Sequence, residues 1–233
     1  MTYAIYILFG LVPSIVWLLF YLRKDVHPES NQMILKIFFY GMAAALPVAL
    51  IELGVSDFLE GFSFSVTLNS ILYLFLGVAF FEEFVKFLVV RGKVFRNAAL
   101  DEPIDVMLYM IIAALGFAAS ENILILFSLG PSFLIGKTVT ITAFRFIGAT
   151  FLHALCSGLV GFFLALSFFE LKRRGWFLTL GILAAAVLHG LYNFSIIENR
   201  AGFLIPALIL LLLAIVTSHS FNKLKQLKSI CNI

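Results

Sequence analysis

The run Phe80-Phe81-Glu82-Glu83-Phe84-Val85-Lys86-Phe87-Leu88-Val89-Val90 places two acids and a lysine inside an otherwise apolar stretch. A charged side chain near the bilayer centre costs roughly 2.5–3.5 kcal/mol on the insertion scale, so such groups must face a protein interior or a water-filled pocket. On a helix Glu82 and Lys86 are i,i+4 neighbours and Glu83 and Lys86 are i,i+3, so one ammonium can compensate either carboxylate. The freed acid is then suited to taking a proton from water. A helix end at the membrane surface is the competing reading, because Arg91 and Lys93 follow. At 1.5 Å per residue, however, Glu83 lies roughly 12 Å below Arg91.

The surroundings of this run are those of a membrane protein. The chain has 233 residues, 62% hydrophobic and 12% charged, against about 25% charged in a soluble domain. Crossing a hydrocarbon core takes about 20 apolar residues, and windows of that kind recur throughout. About seven are expected: Thr2 to Leu22, Met33 to Leu53, Phe64 to Val90, Ile104 to Phe127, Thr138 to Phe169, Trp176 to Ile197 and Gly202 to Ser218. The fold class is therefore all-α, a polytopic bundle with an intramembrane polar site. Residues 1–233 read as a single integral membrane domain, with no internal repeat and no soluble domain. The first stretch reads as a retained helix rather than a signal peptide, since its apolar run is long and Arg23-Lys24 follows it.

Lys and Arg divide between alternate connections. Arg23 and Lys24, then Arg91, Lys93 and Arg96, then Lys172, Arg173 and Arg174, then Lys223, Lys225 and Lys228 fall on one side; Lys137 and Arg200 fall on the other. By the positive-inside rule the amino terminus is outside and the carboxyl tail cytoplasmic, in the cell membrane. Cys156 falls within a span and Cys231 in that tail, so a disulfide between them is not expected.

Three further spans carry polar groups. In Phe117-Ala-Ala-Ser-Glu121-Asn122 an acid and an amide follow a segment rich in small residues, whose face should pack closely on another helix and present Glu121 inward. In the fifth span Arg145 and His153 are eight residues apart and lie on a similar face; Arg145 reads as a partner for Glu121 or a surface snorkeller. Cys156 near His153 reads as a small buried apolar residue rather than a nucleophile. In the sixth, His189 and Asn193 stack at i,i+4, where both could donate to a developing oxyanion, and Gly190 leaves room beside the histidine. Each motif alone has a structural explanation as a cap or interhelical clamp. By residue counting the two histidines and Glu121 match in depth, whereas Glu82 and Glu83 come out shallower.

At Glu82-Glu83-x-x-Lys86, Phe117-x-x-x-Glu121-Asn122, His153-Ala-Leu-x-x-Gly and His189-Gly-x-x-Asn193, in that order, the chain resembles the PrsW family of bacterial intramembrane proteases. That family lies within the wider superfamily of CAAX prenyl endopeptidases and bacteriocin-processing or immunity proteins. The resemblance implies hydrolysis of a peptide bond in a membrane-anchored protein, such as the first cut of an anti-sigma factor. It makes Glu82 or Glu83 the base, Glu121 or His153 its partner, and His189 with Asn193 the oxyanion donors. Lys86, Phe117 and Asn122 support them. The chain departs from the prenyl-endopeptidase branch: Lys86 replaces an Arg one position later, and Glu121 stands where that branch has His.

A metal-free glutamate mechanism is the favoured reading, with no cofactor. Zinc on Glu83, Glu121, His153 and His189 is the alternative, although the His-Glu-x-x-His helix of the zincins is absent. The expected partners are a membrane-anchored protein substrate and the lipid bilayer, with no nucleic acid. Two other classes fit intramembrane acids: a proton- or cation-coupled transporter, and a non-catalytic immunity or scaffold protein of the same superfamily.

Overall fold

The structure is a computed structural model, and it describes residues 2–25, 27–95, 97, 100–130, 135–198 and 202–227. Arg96, Arg200, Lys228 and Cys231, which enter the charge and cysteine readings, lie outside these residues. The helices are α1 (Thr2–Leu22), α2 (Asn31–Glu60), α3 (Val66–Leu72), a π-helical segment (Tyr73–Phe80), α4 (Phe81–Lys93), α5 (Pro103–Ser128), α6 (Ile135–Ile147), α7 (Ala149–Phe169), a 3-10 turn (Leu171–Arg173), α8 (Arg174–Glu198) and α9 (Leu204–Leu224). No strand occurs among the described residues.

Six helical paths are long and apolar enough to cross a membrane: Tyr3–Leu22, Asn31–Glu60, Pro103–Ser128, Ile135–Phe169, Leu171–Glu198 and Leu204–Leu224. The expected count of seven differs by the third span. Its path is helical from Val66 to Lys93, but Glu82, Glu83, Lys86, Arg91 and Lys93 lower its hydropathy. The first three of these are covered by neighbouring helices, so protein rather than lipid surrounds them. Two other bounds also change. The second span runs on to Glu60, which moves Glu52 away from its end, and the fifth breaks at Gly148, between α6 and α7.

Local sequence explains several of the ends. Ser30 and Ser65 cap α2 and α3 by accepting from the backbone N–H of Met33 and Leu68. Pro103 starts α5, where its missing N–H costs nothing. The Glu102 N–H there donates to Asp105, 2.7 Å away.

α5 is the axis of the bundle, packed by α7, α2 and α1 and buried without interruption from Pro103 to Ala119. Lipid is as apolar as leucine, so helices in a membrane associate through close packing rather than a hydrophobic drive. The small residues of α5 serve this purpose. A methyl group at Gly116 would collide with the Phe38 carbonyl of α2, and one at Gly41 of α2 with the Ala113 carbonyl of α5. The two backbones touch at paired glycines, as the small-residue stretch predicts. Outside, Leu8, Leu50, Leu53, Leu211 and Ile215 are exposed, the surface that hydrocarbon requires.

Contacts separate the two ends of the bundle. Tyr6 donates to the Gly130 carbonyl at 2.8 Å, joining the start of α1 to the end of α5. At the other end Tyr109 donates to Glu29, Phe95 and Arg174 pack on Phe168, and Lys24 shares a cavity wall with Lys225. The described basic connections thus share one end.

Candidate active site

Four ionisable side chains meet within the bundle. Glu82 and Glu83 come from the first turn of α4, His153 from α7 and His189 from α8, each offering a ligand atom within 4.8 Å of the others. All are buried, at 0–3% exposure. The π segment, which runs straight into the start of α4, alters the helical turn that aims both acids, a distortion common at functional sites. α8 approaches that segment closely because position 190 is glycine: a Cβ there would lie 2.8 Å from the Phe75 ring. Residue counting made the glutamates too shallow. In the structure Glu83 Oε1 lies 3.1 Å from His189 Nδ1 and Glu82 Oε2 lies 3.4 Å from His153 Nδ1, so the acids and the imidazoles stand at one level.

Lys86 is fully buried, and its Nζ donates to Glu82 Oε2 at 3.0 Å and Glu83 Oε1 at 2.9 Å, as the helical spacing predicts. It also reaches His153 Nδ1 at 2.7 Å. An ammonium has no acceptor capacity, so Nδ1 accepts and His153 carries its proton on Nε2. That Nε2–H donates to Glu121 Oε2 at 2.7 Å. Arg145 NH2 lies 3.1 Å from the other Glu121 oxygen, the partnership expected for it. The Phe117 ring centroid lies 4.4 Å from Lys86 Nζ, a cation–π contact.

Glu83 is held on both oxygens. Oε1 accepts from Lys86 and from His189 Nδ1 at 3.1 Å, and Oε2 accepts from Ser157 at 2.8 Å. Leaving such a buried charge unpaired costs about 3–5 kcal/mol, which makes this network a condition of folding as well as a site.

Other predicted residues stand apart from the cluster. Asn122 donates to Thr150 at 3.0 Å and to the Gly10 carbonyl at 3.3 Å, and accepts from Arg145, clamping α5 to α1, α6 and α7. Asn193 lines a cavity of about 680 Å³ with Glu121, Arg145, Tyr192 and a mostly apolar wall that includes Leu74, Phe144 and Ile196. Glu121, 31% exposed, is where the buried cluster meets this cavity. Cys156 is a buried core residue, as expected.

Two residues were missed. Ser157 is one turn beyond His153, and that i,i+4 spacing could have marked it. Glu52 of α2 lies within hydrogen-bonding reach of Glu82; the acid in Leu50-Ile51-Glu52-Leu53 was the available signal.

The donor set bears on a metal. The structure groups Glu82, not Glu121, with Glu83, His153 and His189. The His153 ring is the reason, since Nδ1 faces Lys86 and Nε2 faces Glu121. Lys86 Nζ stands within 3.0 Å of three of the four donors. A divalent ion about 3 Å from that ammonium would meet repulsion on the order of 10 kcal/mol at an effective dielectric of about 20. With Lys86 in place the set does not fit a metal.

Comparison with known proteins agrees with the sequence motifs. Residues 29–218 match a family model described as PrsW family intramembrane metalloprotease. The chain is 31% identical over 207 residues to Protease PrsW of Bacillus subtilis (strain 168), covering 87% of this chain and 88% of that one. It is 30% identical over 196 residues to Protease PrsW of Geobacillus kaustophilus (strain HTA426), covering 83% and 81%. Protease PrsW of Clostridioides difficile (strain 630) is 24% identical over 221 residues, covering 92% and 87%. No solved structure matches the chain significantly. With that match over most of its length, this multi-pass membrane protein belongs to the PrsW family of intramembrane proteases.

Proposed function

We propose that the protein hydrolyses a peptide bond of a membrane-anchored protein by glutamate-activated water. The observation that carries this reading is the 2.7 Å bond between His153 Nε2 and Glu121 Oε2, which joins the buried acids to the wall of the apolar cavity. Such a cavity accepts an apolar chain and excludes most water, and a charged carboxylate at its inner wall is placed to act on what enters.

Glu82 is assigned as the base. Both Glu83 oxygens are taken, by Lys86, His189 and Ser157, whereas Glu82 is held by the ammonium at Oε2 alone, with the Glu52 carboxyl within hydrogen-bonding reach. Glu82 removes a proton from water as the water oxygen attacks the scissile carbonyl carbon. Glu121, held by His153 and Arg145, orients that water. The amide of Asn193 donates to the developing oxyanion. His189, oriented by donating through Nδ1 to Glu83, is assigned as the second oxyanion donor, acting through Nε2 in its doubly protonated form. Collapse of the intermediate breaks the C–N bond, and the proton on Glu82 passes to the leaving amine.

The basic end is assigned to the cytoplasm and the amino terminus to the outside of the cell membrane, following the positive-inside rule. An anti-sigma factor cut on its extracytoplasmic side is the assigned substrate class. In the test, the wild type and Glu82→Gln, Glu121→Gln and Asn193→Ala variants are reconstituted in liposomes with a single-span model substrate. Cleavage is expected to fall about 10²-fold or more in each. Undiminished cleavage by all three folded variants would overturn the reading.

A further inference from the structure

Lys86 has three ammonium hydrogens, and three acceptors meet them: Glu82 Oε2 at 3.0 Å, Glu83 Oε1 at 2.9 Å and His153 Nδ1 at 2.7 Å. The Phe117 ring lies beside it at 4.4 Å. The ammonium is therefore saturated, and its three partners are three of the four side chains able to surround a metal ion. We propose that Lys86 is the built-in cation of this site: it holds the place of a metal ion among Glu82, Glu83, His153 and His189, and its removal uncovers a divalent-cation site suited to zinc.

Charge supports the assignment, because two adjacent buried carboxylates require a positive partner and Lys86 is the cation that touches both. Spacing supports it too. Zinc–ligand distances of about 2.1 Å hold tetrahedral donors roughly 3.4 Å apart. Here the four donors lie within 4.8 Å of one another, near enough to be drawn in around such an ion. The exchange is also chemically local. Lys86 engages His153 at Nδ1, so a zinc ion on the same nitrogen would leave the Nε2–H to Glu121 bond intact. Two carboxylates and two imidazoles are a donor set that zinc accepts.

This inference rests on the geometry of the site and not on the hydrolytic reading, and its test reads metal rather than cleavage. Wild type, Lys86→Met, Lys86→Met/His189→Ala and His189→Ala proteins are purified in detergent, equilibrated with zinc chloride, freed of excess and measured by plasma mass spectrometry. The wild type is expected to hold less than about 0.1 equivalents, Lys86→Met about one, and the double variant to return to background. A folded Lys86→Met protein at background would overturn the proposal. So would a wild type holding about one equivalent that His189→Ala loses. Should Lys86→Met not fold, wild type and Lys86→Arg decide: zinc in either, lost with His189→Ala, overturns the proposal, and background in both supports it.

Discussion

His153 Nε2 lies 2.7 Å from Glu121 Oε2, so a fully enclosed imidazole on α7 is bonded directly to a carboxylate of α5 that reaches the cavity wall. Lys86 on the opposite ring nitrogen fixes the direction of that bond. Three helices and one tautomer therefore act as a unit, and the expectations below follow from its parts.

Glu121→Gln keeps an oxygen for one donor but loses the charge that holds both His153 and Arg145. Cleavage is expected to fall about 10²-fold or more with the fold retained. Glu121→Ala should lower the unfolding midpoint as well, because Arg145 loses its carboxylate. Unfolding in detergent and cleavage in liposomes, measured together, separate the two effects. Full activity of Glu121→Gln would assign Glu121 to packing alone.

Ser157→Ala removes the donor to Glu83 Oε2 and leaves that buried oxygen without its partner. A loss of about 1–3 kcal/mol in unfolding free energy is expected. Chemical denaturation of the purified protein checks this, and an unchanged midpoint would mean that water or a neighbour replaces the hydroxyl.

Gly190→Ala places a methyl group 2.8 Å from the Phe75 ring, so α8 or the π segment must shift. Overpacking of this kind costs about 1–3 kcal/mol. Because His189 is the adjacent residue, cleavage should fall by more than stability alone explains. Adding Phe75→Ala makes room, and recovery of cleavage in the double variant is the expected result; no recovery would remove the steric explanation.

Glu29, in the connection before α2, accepts a hydrogen bond from Tyr109. Burial pushes its carboxyl above the usual range, and the charges of Asp25 and Asp101 add to this, against the lowering effect of the Tyr109 bond. A raised acid is one whose neutral form the fold prefers. Its contribution is present in full below the ordinary carboxylate pKa and is lost as pH rises through the raised value. The unfolding midpoint of wild type relative to Glu29→Gln should therefore be higher near about pH 4 than near about pH 7. The opposite trend would show that the Tyr109 bond outweighs burial.

Much of the site was legible because charge in an apolar run admits few explanations. Glu82, Glu83, Lys86, Glu121, His153 and His189 are conspicuous in their spans, and helical spacing alone foretold both Lys86 ion pairs. Glu52 was passed over because it stands near the end of its expected span, where an acid at the membrane surface is ordinary; the helix in fact continues to Glu60. Ser157 was passed over because a serine in a membrane helix usually satisfies itself. Glu121 entered the metal set in place of Glu82 because position along a chain does not reveal which side of an imidazole ring a carboxylate occupies.

The sequence by itself determined an all-α membrane bundle, the approximate course of its spans, their alternating charge and the side chains that could not face lipid. These follow from transfer energetics and helical period, which are local properties. Only the tertiary structure decided which nitrogen of His153 meets Lys86, that Glu83 is tied on both oxygens, and that Glu121 and Asn193 share the cavity wall. Those relations depend on how far α8 can approach the π segment and on where Gly148 breaks α6 from α7. Such distances are set by packing between helices remote in the chain.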